Sequence, residues 1–234
     1  MFIDPSEDDN GLIHPNQPVE HPEDVAAHQN LQYLTRDIFD EYYPFIVMRH
    51  SPPHSDSCLE CGSESSPDTW VMCEDCFDSP PMCTACALLK HHYNPFHRVK
   101  TWNSEAGCWT PTHLADLGLQ VPAIHANGER CTTQGNAVAI QVIHSNGNHR
   151  ILLRRCGCTR EAARLRTVTA KQCLAHGLFP ATNDSPQQAF TFQVLDLFHT
   201  CNLKAFTNIN QFLEIMAAVT PIELRTQVKS NPMV

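Results

Sequence analysis

The chain has 234 residues, a net charge of −9 at neutral pH, 42% hydrophobic residues, 17 prolines and 12 cysteines. That length suits one compact domain or two small ones, and no apolar run approaches the ~20 residues that a membrane span requires. The opening Met1-Phe2-Ile3-Asp4-Pro5-Ser6-Glu7-Asp8-Asp9 is acidic and lacks the apolar stretch of a secretory signal, so an intracellular protein is expected. In a reducing compartment, regularly spaced cysteines read as metal ligands rather than as bridges. The charge is unevenly spread. Residues 1–43 hold ten acids against Arg36 alone, and the remainder balances 15 acids with 15 bases. Between Arg150 and Lys171 seven bases stand against Glu161 only, which is the one basic stretch.

In chain order, residues 1–23 are rich in Pro, Asp, Glu, His and Asn without apolar periodicity, and read as a disordered acidic arm. Residues 24–57 read as a helix and a linker. Leu31, Leu34, Ile38 and Tyr42 fall at near-helical spacing before Pro44, and Ser51-Pro52-Pro53-His54 opens the linker. Residues 58–103 hold the cysteine cluster, with short extended pieces at 69–72 and 98–102. Residues 104–176 hold a β-hairpin: the runs 137–143 and 150–153 flank a turn at Asn146-Gly147, and a helix from about Arg160 to His176 follows. Residues 177–220 form a helical segment with helices near 187–202 and 208–219. Phe190, Val194, Leu195 and Phe198 line the first, and Ile209, Phe212, Leu213 and Met216 the second. Residues 221–234 form a tail after Pro221.

The chemistry is concentrated in an ordered string: Cys58-x2-Cys61, Cys73-x2-Cys76, Cys83-x2-Cys86, then His91 and His97. A Cys-x-x-Cys turn puts two thiolates on one side of a tight bend at the separation that a tetrahedral ion needs, so eight ligands imply two structural zinc ions. Two pairings are open. An interleaved cross-brace groups Cys58, Cys61, Cys83 and Cys86 on one ion and Cys73, Cys76, His91 and His97 on the other. A sequential scheme groups the first four cysteines, then the last pair with the histidines. The ligand order resembles that of ZZ-type zinc fingers, which favours the cross-brace; His92 is a rival for His91. The expected fold class is therefore α+β: a zinc-stabilised small domain with a ZZ-like cross-brace and a β-hairpin, followed by a helical C-terminal segment.

A second resemblance is broader. Cys73-Glu-Asp-Cys76, Cys83-x2-Cys86, His91, Pro95-Phe96-His97-Arg98-Val99 and Trp102-Asn103 carry its first part. Leu117-Gly118-Leu119, His125, Cys131, Asn146-Gly147, Cys156-Gly157-Cys158, Phe179-Pro180-Ala181-Thr182 and Ala189-Phe190-Thr191-Phe192 carry the rest. Together they resemble the CxC-like cysteine cluster associated with KDZ (Kyakuja-Dileera-Zisupton) transposases. Ser104 departs from the glycine expected after Asn103. The resemblance and the spacing imply a third zinc site from Cys131, Cys156 and Cys158 with His125, for which His144 and His149 are rivals. They also imply a transposon-derived, nuclear protein. The long acidic-triad core of the family transposases has no counterpart in this sequence, so transposition is not expected. Cys108, Cys173 and Cys201 read as small buried hydrophobes.

No catalytic residues are assigned. Zinc closed by four protein ligands has no open position. His21-Pro22-Glu23 lacks the adjoining Pro-Cys-x-x-Cys of a deaminase, and both histidines of the string come last, unlike a RING-type ligase. Two binding readings follow, without a membrane or a small-molecule substrate. One is a nucleic-acid or chromatin module, whose candidate contacts are Arg154 (or Arg155), Arg160, Arg164 and Lys171, the last three aligned on one helix. The other is a module whose acids Glu74, Asp75 and Asp78 receive a basic peptide. A transposon remnant without a ligand is the third alternative.

Overall fold

In a computed structural model, the described residues are 36–77, 79–158 and 166–225. The chain divides into two units, Met1–Ser51 and Pro52–Val234. In the first, helix α1 spans Arg36–His50 with Pro44 inside it. The expected stop at Pro44 does not occur; proline costs one backbone bond there and the helix continues. Phe39 and Tyr43 stack at 5.3 Å, and both remain exposed. The expected acidic arm of residues 1–23, and Leu31 and Leu34 of the expected helix, lie outside the described residues.

The second unit mixes strands and helices around two sheets. A short 3-10 turn, Pro67–Thr69, leads into β1 (Trp70–Cys73), β2 (Met82–Cys83) and α2 (Thr84–Lys90). The strands β3 (Val99–Asn103) and β4 (Cys108–Thr112) complete an antiparallel sheet of order β2-β1-β3-β4. All four residues of β1 are buried, because this strand lies inside the sheet and under α2. Trp102 faces Trp109 across β3 and β4, with ring centroids 5.4 Å apart and the planes at 72°. The extended pieces expected at 69–72 and 98–102 correspond to β1 and β3.

The larger sheet has the order β5-β7-β6-β9-β8 and combines β5 (Gln120–Val121), β6 (Gln134–His144), β7 (Gly147–Cys156), β8 (Leu178–Pro180) and β9 (Gln188–Thr191). The hairpin β6–β7 is its centre, and β7 alternates buried and half-buried residues with the period of two that one covered face imposes. Ile140, Val142, Ile151 and Leu153 pack there with Val168, Cys173, Leu178 and Ala189. The turn falls one residue earlier than expected: His144 pairs with Gly147, so Ser145 and Asn146 make the loop. Gly147, at φ +127°, opens β7, where an added Cβ would lie 3.1 Å from Thr220 Oγ1. Only glycine satisfies both conditions.

Two helical expectations change. The helix expected from Arg160 begins at Ala170: α3 is Ala170–Ala175, and Thr169 caps it in a box with Gln172. Residues 166–169 are not helical, and 159–165 lie outside the described residues. The helix expected from 187 begins at Phe192. Residues 188–191 are instead β9, parallel to β6, which puts Phe190 on a strand. Thr191 then caps α4 (Phe192–Ala205) through Val194 N–H. Helix α5 is Ile209–Val219, capped by Asn208, and α6 is Ile222–Arg225. Val194, Phe212 and Met216 form their own small core with Ile143, Phe190 and Phe198.

Candidate metal centres

All twelve cysteines are free of disulfides. Three groups of four side chains bring their ligand atoms within 4.8 Å of one another: Cys58, Cys61, Cys83 and Cys86; Cys73, Cys76, His91 and His97; His125, Cys131, Cys156 and Cys158. A tetrahedral ion with bonds of about 2.0–2.3 Å holds its ligand atoms roughly 3.3–3.8 Å apart. The separations given below fall at or close to that range, and thiolate with imidazole is the donor chemistry that zinc takes, so the residues fit the ion.

The first group joins a knuckle ahead of β1 to the β2–α2 junction. Gly62 N–H donates to Cys58 O at 2.7 Å, closing the Cys58–Cys61 bend, and Cys83 N–H donates to Cys58 Sγ at 3.3 Å. Cys61 Sγ lies 3.8 Å from Cys83 Sγ. The hydroxyl and N–H of Ser63 draw the Cys61 thiol down to about 6, whereas its proximity to Cys61, together with burial, pushes Cys86 up. Neighbouring thiolates repel, and a shared cation is what makes all four favourable together.

The second group takes Cys73 from the end of β1, Cys76 from the turn after it, His91 from the cap of α2 and His97 from the approach to β3. His91 is fully buried; its Nδ1–H donates to Ala87 O at 2.7 Å, which leaves Nε2 facing Cys76 Sγ at 3.4 Å. That backbone bond fixes the tautomer that a metal would need. His97 Nδ1 stands 3.5 Å from Cys73 Sγ and 3.3 Å from Cys76 Sγ. Burial pushes the Cys73 thiol up to about 11.

In the third group Cys131 Sγ is 3.5 Å from Cys156 Sγ and 3.2 Å from Cys158 Sγ. His125 Nε2 faces Cys158 at 3.6 Å and Cys156 at 3.8 Å. The residue between the two cysteines lies close against Thr133. A Cβ at Gly157 would meet Thr133 O at 3.0 Å, and the Gly157 N–H already donates to that oxygen at 2.8 Å.

The rival histidines have other partners. His92 Nε2 accepts from Arg130 Nη2 at 3.0 Å. His144 Nδ1 pairs with Thr191 Oγ1 at 2.9 Å, and His149 Nε2 donates to Asn146 Oδ1 at 2.7 Å. Cys173 is buried and Cys201 half-buried among apolar neighbours, but Cys108 is exposed at the start of β4, contrary to its reading as a buried hydrophobe.

The acids near the second group are engaged internally. Glu74 pairs with Lys100 at 2.5 Å, and Asp75 with Arg98 at 2.5 Å and with Arg98 N–H at 2.6 Å. Asp78 lies outside the described residues. In the sequence Asn146 is a turn residue and part of the family-like pattern, with no partner indicated. Its Nδ2 donates to Asp75 Oδ2 at 3.1 Å and to Phe96 O at 3.0 Å. The hairpin tip is thereby tied to the loop of the second group. Nothing in the local sequence pattern signals that pairing.

Among the basic residues, Arg154 is half-buried on β7 and Lys171 is exposed on α3; Arg160 and Arg164 lie outside the described residues. The expected alignment of Arg160, Arg164 and Lys171 on one helix does not survive the break at Thr169, whose extended backbone (ψ 158°) precedes α3. Arg150 is paired with Asp116 at 2.5 Å.

The described chain is thus a cysteine-cluster protein with three four-ligand centres that can each hold a metal ion. Residues 114–221 match the family described as the CxC2 like cysteine cluster associated with KDZ transposases. The match spans the larger sheet, the third group and α4–α5; the first two groups lie ahead of it. No curated protein and no solved structure matches the chain. No helix among the described residues is long and apolar enough to cross a membrane.

Proposed function

We propose that this chain is a zinc-structured, non-catalytic, transposon-derived module that binds nucleic acid in the nucleus. The observation that carries the zinc reading is the gathering of twelve cysteine and histidine side chains into three four-membered groups. Each group is closed by its own four ligands, in the interleaved cross-brace for the first two, so each zinc is structural and has no open position for a substrate. The ion's chemistry is to neutralise the thiolates and pin together segments that have little apolar surface of their own.

The nucleic-acid part rests on the transposase association of the matched family and on the basic stretch. Arg154, Arg155, Arg166 and Lys171 have no carboxylate partner among the described residues, whereas Glu74 and Asp75, the acids suited to a basic peptide, are already paired. The test is binding to duplex DNA over a range of salt. Four phosphate contacts give a log–log slope of roughly −3.6. Replacing Arg154, Arg160, Arg164 and Lys171 with glutamine should flatten the slope and weaken binding whatever the DNA sequence. A slope near zero for the unaltered protein contradicts this reading.

A further inference from the structure

Two adjoining hollows lie on either side of the loop Tyr93–Phe96, between the zinc-ligand candidates His91 and His97. One, of about 380 Å³, reaches Arg130 and has walls of Ile151 and Leu153; the other, of about 420 Å³, reaches Thr191 and Gln193. Both are lined by Tyr93, Pro95, Phe96, His176 and Leu178. Three features of this cleft are unusual together. Tyr93 is 80% exposed and lines both hollows, and its ring meets His92 edge-on with centroids 4.8 Å apart. Arg130 donates to two neutral groups, His92 Nε2 at 3.0 Å and Tyr93 Oη at 3.3 Å, and has no carboxylate partner among the described residues. Inside, the His176 Nε2 is buried and lacks a hydrogen-bond partner among the described residues.

We propose that this cleft takes one unstacked nucleotide of single-stranded nucleic acid, a reading that rests on the nucleic-acid function above and names a second ligand form for it. The base stacks against Tyr93 over the apolar floor, His176 Nε2 supplies the hydrogen-bonding group for its edge, and Arg130 takes the phosphate. The chemistry matches at each point. A buried polar nitrogen without a partner is satisfied by a heterocycle edge. An aromatic face accepts any base, and a guanidinium held by neutral neighbours keeps its charge for a phosphate. The volume of either hollow lies in the range of small-ligand sites.

The full zinc-loaded chain is titrated with a fluorescently labelled single-stranded octanucleotide and, separately, with duplex DNA. Arg130→Gln and Tyr93→Ala alter exposed side chains, and their zinc content and melting temperature report whether they fold as the parent does. Each is expected to weaken single-strand binding about tenfold or more while duplex binding changes little. The combined Arg154, Arg160, Arg164 and Lys171 variant should show the reverse. Duplex binding that persists with single-strand binding insensitive to Arg130→Gln and Tyr93→Ala overturns the cleft proposal and leaves the nucleic-acid reading standing. Absence of binding to both forms overturns both. Binding of N-acetyl-Trp-Glu that depends on Tyr93 and Arg130, with no oligonucleotide binding, would replace the nucleotide by an acidic peptide.

Discussion

Single residues decide how the third centre forms. Cys158 is exposed and supplies one of the four ligands, so Cys158→Ser should remove one zinc ion while the other two centres stay loaded, as counted by intact-mass measurement under native conditions. An unchanged count would remove this centre from the account. Gly147 is a different case, because its role is steric. A side chain there must adopt φ +127° and sit 3.1 Å from Thr220 Oγ1, which also accepts from Asn148 N–H at 2.9 Å. Gly147→Ala is expected to cost about 1–3 kcal/mol in thermal or denaturant unfolding, with the zinc count unchanged.

At the scale of elements, the hairpin tip links the two sheets through Asn146. Removing its amide leaves Asp75 with one donor fewer and strips the His149 Nε2–H and the Phe96 carbonyl of their partner. Asn146→Ala should therefore lower stability by about 2–3 kcal/mol, the cost of several half-buried polar groups left unpaired. The loss appears in the melting temperature before any zinc is released; simultaneous loss of metal at the first transition would show that the tip is part of a ligand shell instead. This link also marks where sequence reading stops. The Cys-x-x-Cys knuckles were legible because ligand spacing is fixed by the ion, and the hairpin was legible from its two-residue alternation and its Asn-Gly signal. The strand β9 was not. Gln188–Thr191 precedes a helix and continues its apolar pattern, so only the parallel partner β6 makes it a strand. Residues 167–169 are the β-branched run Thr-Val-Thr, which disfavours a helix, and the Thr169 cap starts α3 afresh. The partners of Glu74 and Asp75 come from β3 and its approach, across a turn whose geometry no local pattern encodes.

For the whole molecule, burial of a histidine between the sheets sets a pH dependence. His149 is 5% exposed, packed on Phe96 and facing His113 and His144, and burial lowers its pKa to about 3. The unfolded chain takes up this proton near 6.5, so the histidine's contribution is fully present above that pH and is lost progressively as the pH falls toward 3. Between pH 7.5 and 6 the protein should lose about 1 kcal/mol more stability than its His149→Gln variant, measured by denaturant unfolding with zinc in excess. Equal slopes for the two proteins would show that His149 is solvated when folded.

The central claim is that three four-ligand groups each hold a structural zinc ion, and the most direct measurement is the metal stoichiometry of the purified chain, by native mass spectrometry with elemental analysis. The account predicts three zinc ions per chain, and loss of ordered structure between residues 58 and 158 when a strong chelator removes them, since structural zinc contributes on the order of 10 kcal/mol to folding. A chain that is folded and free of zinc, or whose cysteines are found paired in disulfides, would contradict it.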